Sequence, residues 1–260
     1  MIGSRPCLRL HYAPTPEQSY LHRWVRPGSP GFFVLIVALV VSGTWWVWQS
    51  CLDADKQAFY KLVSVDTRTR CIIFANPPDA AALRHMARLP GKWSLMFFWG
   101  GVPDPSMPRL FRGRRFPNIT AIYFCRDVDV DAWLRELCRP DTGLTSVDSL
   151  VLWHSNVTDA GLRELARSDT GLKALISLCM SDCKVTDAGL SQLTHSGSGL
   201  KSLVELNLSE TGVTDKWLME LSGRDCGLMT LTSLRVDRTN TTKAAAKAVM
   251  GARPDLTIWP

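Results

Sequence analysis

Val157-Thr158-Asp159-Ala160-Gly161-Leu162, Val185-Thr186-Asp187-Ala188-Gly189-Leu190 and Val213-Thr214-Asp215-Lys216-Trp217-Leu218 recur with one 28-residue period, and this period decides how the chain is read. A fixed repeat of that length marks a stack of similar coils. Carrying the register outward aligns Ile119, Val147, Leu175, Leu203 and Leu231, then Ile122, Leu150, Leu178, Leu206 and Leu234, then Phe124, Leu152, Met180, Leu208 and Val236. The spacing of two between the last two columns puts their side chains on one face of a short strand. Further along each unit, Leu134, Leu162, Leu190 and Leu218 precede Leu137, Leu165, Leu193 and Leu221 by three, a helical interval. The Thr-Asp pair stands just before that stretch, where its oxygens suit the free N–H groups and positive end of a helix. Gly143-Leu144, Gly171-Leu172, Gly199-Leu200 and Gly227-Leu228 close the turns, and a left-handed glycine ending each helix is expected there.

The L-x-x-L-x-L strands and the T-D-x-G-L helix starts resemble those of leucine-rich repeat proteins. The resemblance covers about residues 116 to 260. It implies an α/β solenoid, with a parallel sheet on the concave face and helices on the convex face, and a binding scaffold with no particular partner. The column reading Asp127, Ser155, Cys183, Thr211 and Thr239 departs from the asparagine or cysteine many family members carry there. The fifth unit replaces valine, aspartate and two leucines by Thr241, Lys243, Ala246 and Val249, and with Arg253-Pro254-Asp255 it reads as a C-terminal cap.

Before residue 116 the register fails. Cys71-Ile72-Ile73-Phe74 and the run from Trp93 to Trp99 read as extended, and the stretch from Asp79 past Met86 to Leu89 as an amphipathic helix. Residues 50–115 are expected to form an N-terminal cap or degenerate repeats, with a small separate domain as the alternative.

From Phe32 to Trp48 the chain carries no charge, a run of about 26 Å if helical and close to a hydrocarbon core in length. Trp45, Trp46 and Trp48 suit a lipid–water boundary at its far end. Residues 1–30 carry four arginines against one glutamate, a formal +3 of the chain's +6. Residues 31–49 are therefore expected to be a single transmembrane anchor behind a basic tail, with the N-terminus cytoplasmic and the repeats on the extracytoplasmic side. A cleaved signal peptide fits less well, because the leader is long and the apolar run ends in tryptophans.

No motif for catalysis, metal or cofactor stands out. The carboxylates recur once per coil, as a structural role requires, and Cys179 with Cys183 lacks a second pair at metal spacing. Seven of the eight cysteines follow the apolar run, and no pairing can be deduced. The expected function is a non-catalytic, membrane-anchored scaffold for a protein or glycan partner. Its alternative is an intracellular adaptor presenting substrates to an enzyme complex, as the resemblance also allows. Strand alternation turns Tyr123, Trp153, Glu205, Asn207, Arg235 and Asp237 outward on the concave face, which makes them the candidate partner contacts. Arg109, Arg112, Arg114 and Arg115 form the densest basic patch, a candidate contact for an acidic partner or lipid headgroups. Nucleic acid is not expected, since the remaining +3 is spread over the rest of the chain.

Overall fold

The computed structural model describes residues 49–50, 52–54, 56–57, 63–66, 70–74, 80–98, 109, 111–125 and 130–260. The basic tail and the charge-free run 32–48 lie outside the described residues. Among those described, no helix is long and apolar enough to cross a membrane. Two units divide the chain, Met1–Asp53 and Ala54–Pro260, and the architecture that follows belongs to the second.

Strand β1 (Val63–Asp66) pairs antiparallel with β2 (Cys71–Phe74). From β2 onward every strand pairs parallel with the next in chain order: β3 (Trp93–Phe98), β4 (Ile119–Cys125), β5 (Ser149–Val151), β6 (Ser177–Cys179), β7 (Glu205–Asn207), β8 (Ser233–Arg235) and β9 (Thr257–Trp259). The helices are α1 (Ala80–Ala87), α2 (Val130–Leu137), α3 (Asp159–Leu165), α4 (Asp187–Thr194), α5 (Asp215–Glu220) and α6 (Lys243–Ala252). Leu150 pairs with Leu178, Leu178 with Leu206 and Leu206 with Leu234, so the leucine column is one row inside the stack. All the aligned apolar columns are buried, none more than 2% exposed. Paired strands sit about 4.8 Å apart, whereas packed helices need roughly 8–10 Å, so the stack must curve with its sheet inside. The result is an α/β solenoid with its parallel sheet on the inner face and its helices outside, as expected.

The strands of the N-terminal stretch join the same sheet. Cys71-Ile72-Ile73-Phe74 is β2, and β3 bridges it to β4 through a register shift at Trp93 and Ser94. At the other end β9 joins after a shortened unit, Ser233 pairing with Thr257. The cap thus contributes a strand that the 28-residue period does not foresee.

The Thr-Asp pair divides its labour differently from the expectation. Threonine caps the helix: the Oγ1 of Thr158, Thr186 and Thr214 accepts from the N–H of Ala160, Ala188 and Lys216. Aspartate instead grips the next coil. Asp159 accepts from the Thr186 N–H at 2.8 Å and its hydroxyl at 2.7 Å. Asp131 holds Thr158, Asp187 holds Thr214 and Asp215 holds Thr242 in the same way. The ladder ends at Lys243, which takes the aspartate's column in α6.

Glycine at Gly161 and Gly189 lies hard against this grip, although the third unit keeps the grip with Trp217 in the same column. A Cβ at Gly189 would lie 2.4 Å from Asp159 Oδ1 and 2.8 Å from Asp159 Cα, and at Gly161 2.4 Å from Asp131 Oδ1. Gly189→Ala should therefore destabilise the fold by about 1–3 kcal/mol, although helix propensity alone favours alanine by about 1 kcal/mol. Gly251→Ala, in α6 with nothing within 4 Å, should stabilise by about 0.5–1 kcal/mol. Urea midpoints of the two variants check the opposite signs, and a stabilised Gly189→Ala protein would show that the coil gives way around the added methyl.

The glycines that close the turns also differ from the expectation. Only Gly143 has a left-handed backbone, at φ 63°. Gly171, Gly199 and Gly227 are there because the preceding coil passes close: a Cβ would meet Arg139 O at 2.4 Å, Arg167 O at 2.2 Å and His195 O at 2.1 Å. Their N–H groups bond back to that coil, Gly171 to Cys138 O at 2.6 Å, Gly199 to Ala166 O at 3.0 Å and Gly227 to Thr194 O at 2.6 Å.

Candidate binding face

On the sheet's inner face, residues alternating with the buried row point away from the core. Strand pairing aligns eight of them into one unbroken line: Ile73, Met96, Tyr123, Val151, Cys179, Asn207, Arg235 and Trp259. Six are half-buried, and Arg235 and Trp259 are exposed. The line is graded. Its first five members are apolar or thiol, and amide, guanidinium and indole follow.

Expected contacts Tyr123, Asn207 and Arg235 belong to this line, and Glu205 to the neighbouring one, paired with Ser177 and Ser233. Trp153 follows β5 and is 52% exposed, its ring 4.4 Å from that of His154 and not tucked beneath a loop. Asp237 follows β8, is half-buried, and accepts from Ser209 Oγ at 3.4 Å. Ser177, Cys179, Glu205, Asn207, Ser233 and Arg235 line an open hollow of about 290 Å³. Asn207 spends its carbonyl on the N–H and hydroxyl of Ser209, at 3.0 and 2.7 Å. Among the described residues neither the Glu205 carboxylate nor the Arg235 guanidinium has a hydrogen-bond or ion-pair partner. The two charges stand uncommitted around the same hollow.

The rim beside this face has its own order. His154, Asp182, Glu210 and Arg238, again one period apart, all have left-handed backbones with φ between 54° and 61°. There the chain turns out of the strand, and the N–H of His154, Asp182 and Glu210 still bonds to Ser181, Ser209 and Asp237 of the next coil. Their side chains pair off, His154 Nδ1 with Asp182 and Arg238 with Glu210 at 2.9 Å. In the column one residue on, Cys183 Sγ donates to Leu152 O of the preceding coil, and Thr211 and Thr239 donate within their own coils to Leu208 O and Val236 O.

The arginine patch is partly engaged. Glu136 receives Arg112 through Nε at 2.9 Å and through a second guanidinium nitrogen, with Arg109 Nε at 3.9 Å. Arg114 is half-buried and Arg115 exposed. Both line a separate recess of about 730 Å³ with Pro140, Asp141 and Thr145, away from the strand residues of the sheet face.

Cys138, Cys179, Cys183 and Cys226 are free thiols. Burial pushes the Cys138 thiol up to about 12 and also raises those of Cys183 and Cys226. Cys179 is half-buried and lines the hollow. With iodoacetamide at pH 8, peptide mapping should find Cys179 alkylated while Cys138 stays unmodified until the fold is lost. Equal rates at the two would contradict their placement.

Ile73 and Met96 are invisible to the period, because the interval between them, and that from Met96 to Tyr123, are both shorter than a full unit. Trp259 is hidden for the same reason, since β9 follows a shortened unit. The alternation of Trp93, Leu95 and Phe97 is a usable signal for β3.

No family model matches the sequence, and no curated protein matches it. Among solved structures the chain is similar to an internalin from Listeria monocytogenes, with 15% identity over 70% of this chain and 50% of that one and a TM-score of 0.42. It is also similar to a protein from Bacteroides fragilis, with 18% identity over 63% and 50% of the two chains and a TM-score of 0.42. The chain spans about half the length of these solved structures.

Proposed function

We propose that this protein is a non-catalytic scaffold that binds a protein partner through the inner face of its sheet. The observation that carries the reading is the graded eight-residue line, with two uncommitted charges and a half-exposed tryptophan beside it. Exposed aromatic and arginine side chains of this kind anchor interfaces. We further propose that residues 32–48 tether the scaffold to a membrane with its repeats on the extracytoplasmic side, a placement supported by the charge-free run and the basic tail before it. A glycan ligand suits the line less well, because its first half lacks hydrogen-bonding groups apart from the Tyr123 hydroxyl. The second reading, an intracellular adaptor, is favoured by one observation: Cys138, Cys179, Cys183 and Cys226 are free thiols.

A photo-crosslinking residue placed at Trp153 or Asn207 should capture a partner protein in cells, whereas one placed at exposed Gln192 on α4 should not. Capture at Gln192 alone would reject the sheet face. A reporter fused after Pro260 that is active only in the cytoplasm would leave the adaptor reading standing and reject the extracytoplasmic one.

A further inference from the structure

We infer that the sheet face takes one extended segment of its partner, lying across the strands, with aliphatic or aromatic side chains over Tyr123, Val151 and Trp153 and an acidic side chain on the Arg235 guanidinium. The inference rests on the binding role proposed above and names the ligand's chemistry. Arg235 is the reason for the acidic group. Its neighbours on this face are Ser233 along its own strand, Asp237 just past the strand's end, and Asn207 and Trp259 across the pairing. Asp237 is turned toward Ser209, and no described residue pairs with the guanidinium. Any partner that covers this spot must supply an acceptor, because burying an unpaired guanidinium is prohibitively unfavourable. Trp259, 54% exposed, flanks it and would shed water from the pair.

The apolar half of the line sets the other requirement. Tyr123 and Val151 are partly open and Trp153 is half exposed, and none offers a charge. Strand spacing then fixes the geometry. Val151 is three strands from Arg235 and Tyr123 four, about 14 and 19 Å, which an extended chain covers in about four to six residues. The line runs on past Arg235 to exposed Trp259, so a segment can continue beyond the guanidinium, and the carboxylate is assigned to one of its side chains and not to a chain end. Glu205, diagonal to Arg235, adds a second preference, for a basic or amide group next to the acidic one.

The test is a solid-phase library of random decapeptides, acetylated and amidated so that only side chains carry charge, probed with the full chain and with Arg235→Glu. Arg235 is exposed with no described partner, so the variant should fold, and an unchanged urea midpoint verifies this. Wild-type protein should enrich peptides with Asp or Glu four to six residues from an aliphatic or aromatic residue. Arg235→Glu should lose that enrichment by about tenfold or more and prefer Lys or Arg at the same place. Enrichment that is absent, indifferent to Arg235→Glu, or found only when the same library carries free C-terminal carboxylates would overturn the inference. If the library fails while Trp153 and Asn207 still crosslink a partner, the ligand is wrong and the binding role stands. If those positions capture nothing either, the role itself falls.

Discussion

Replacing Arg253 by leucine should cost about 3–5 kcal/mol and unfasten the C-terminal end of the solenoid. Arg253 is only 5% exposed. Its guanidinium donates to Leu228 O at 3.1 Å, Met229 O at 3.0 Å and Leu231 O at 2.9 Å, and to the Asp255 carboxylate at 3.0 Å. The hydrogen bond from that guanidinium also holds the Asp255 carboxyl below its usual range. Two carbonyls of the preceding coil, Met229 O and Leu231 O, lose their donor in the variant, each at about 1–3 kcal/mol if water cannot reach it, while Leu228 O keeps the Leu231 N–H. Coils are stabilised mainly by their neighbours, so the damage should stay local. Hydrogen exchange should accelerate in α6 and β9 and leave β5 and β6 protected. Arg253→Lys should recover only part of the loss, since one ammonium cannot span three carbonyls. Unchanged protection of β9 in Arg253→Leu would show that the cap does not depend on this side chain.

Leu206→Ala should cost about 2–5 kcal/mol, the range for a leucine emptied from a packed core. Leu206 is 2% exposed and paired with Leu178 and Leu234 in the middle of the stack. The cavity would weaken the coupling between the coils on either side. In urea the variant should melt at a lower midpoint and with a shallower slope, because two halves then unfold less cooperatively. A loss under about 1 kcal/mol, with the slope unchanged, would mean that the leucine row is not the spine of the fold.

Much of this is legible in the residues themselves. The interval of two between Leu150 and Leu152, repeated in every coil, can only be a buried strand face, and Thr158 before a leucine pair spaced by three can only be a helix start. The aspartate clamp is not legible. Its partner is a threonine in the following coil, and an N-terminal aspartate reads equally well as a charge facing the helix dipole. The glycines show the same confusion: at Gly171, Gly199 and Gly227 close approach of another coil produces the same residue preference as a left-handed turn. Trp217 sits where Gly161 and Gly189 do, fully buried, and its indole nitrogen has no hydrogen-bond partner among the described residues. Of the binding face, the regular coils yield Tyr123, Asn207 and Arg235, whereas Ile73, Met96 and Trp259 need the strand pairing, because the units bearing them fall short of the full period.

The order of that line depends on one claim, that parallel strands stack in register from β2 to β9. Spin labels at Ile73 and Arg235, read by electron–electron double resonance on the full chain, test it most directly. Six strand spacings separate the two sites, so the distance should centre near about 29 Å in a single narrow distribution. A centre beyond about 40 Å, or a spread across tens of ångströms, would contradict the stacked sheet on which the binding face depends.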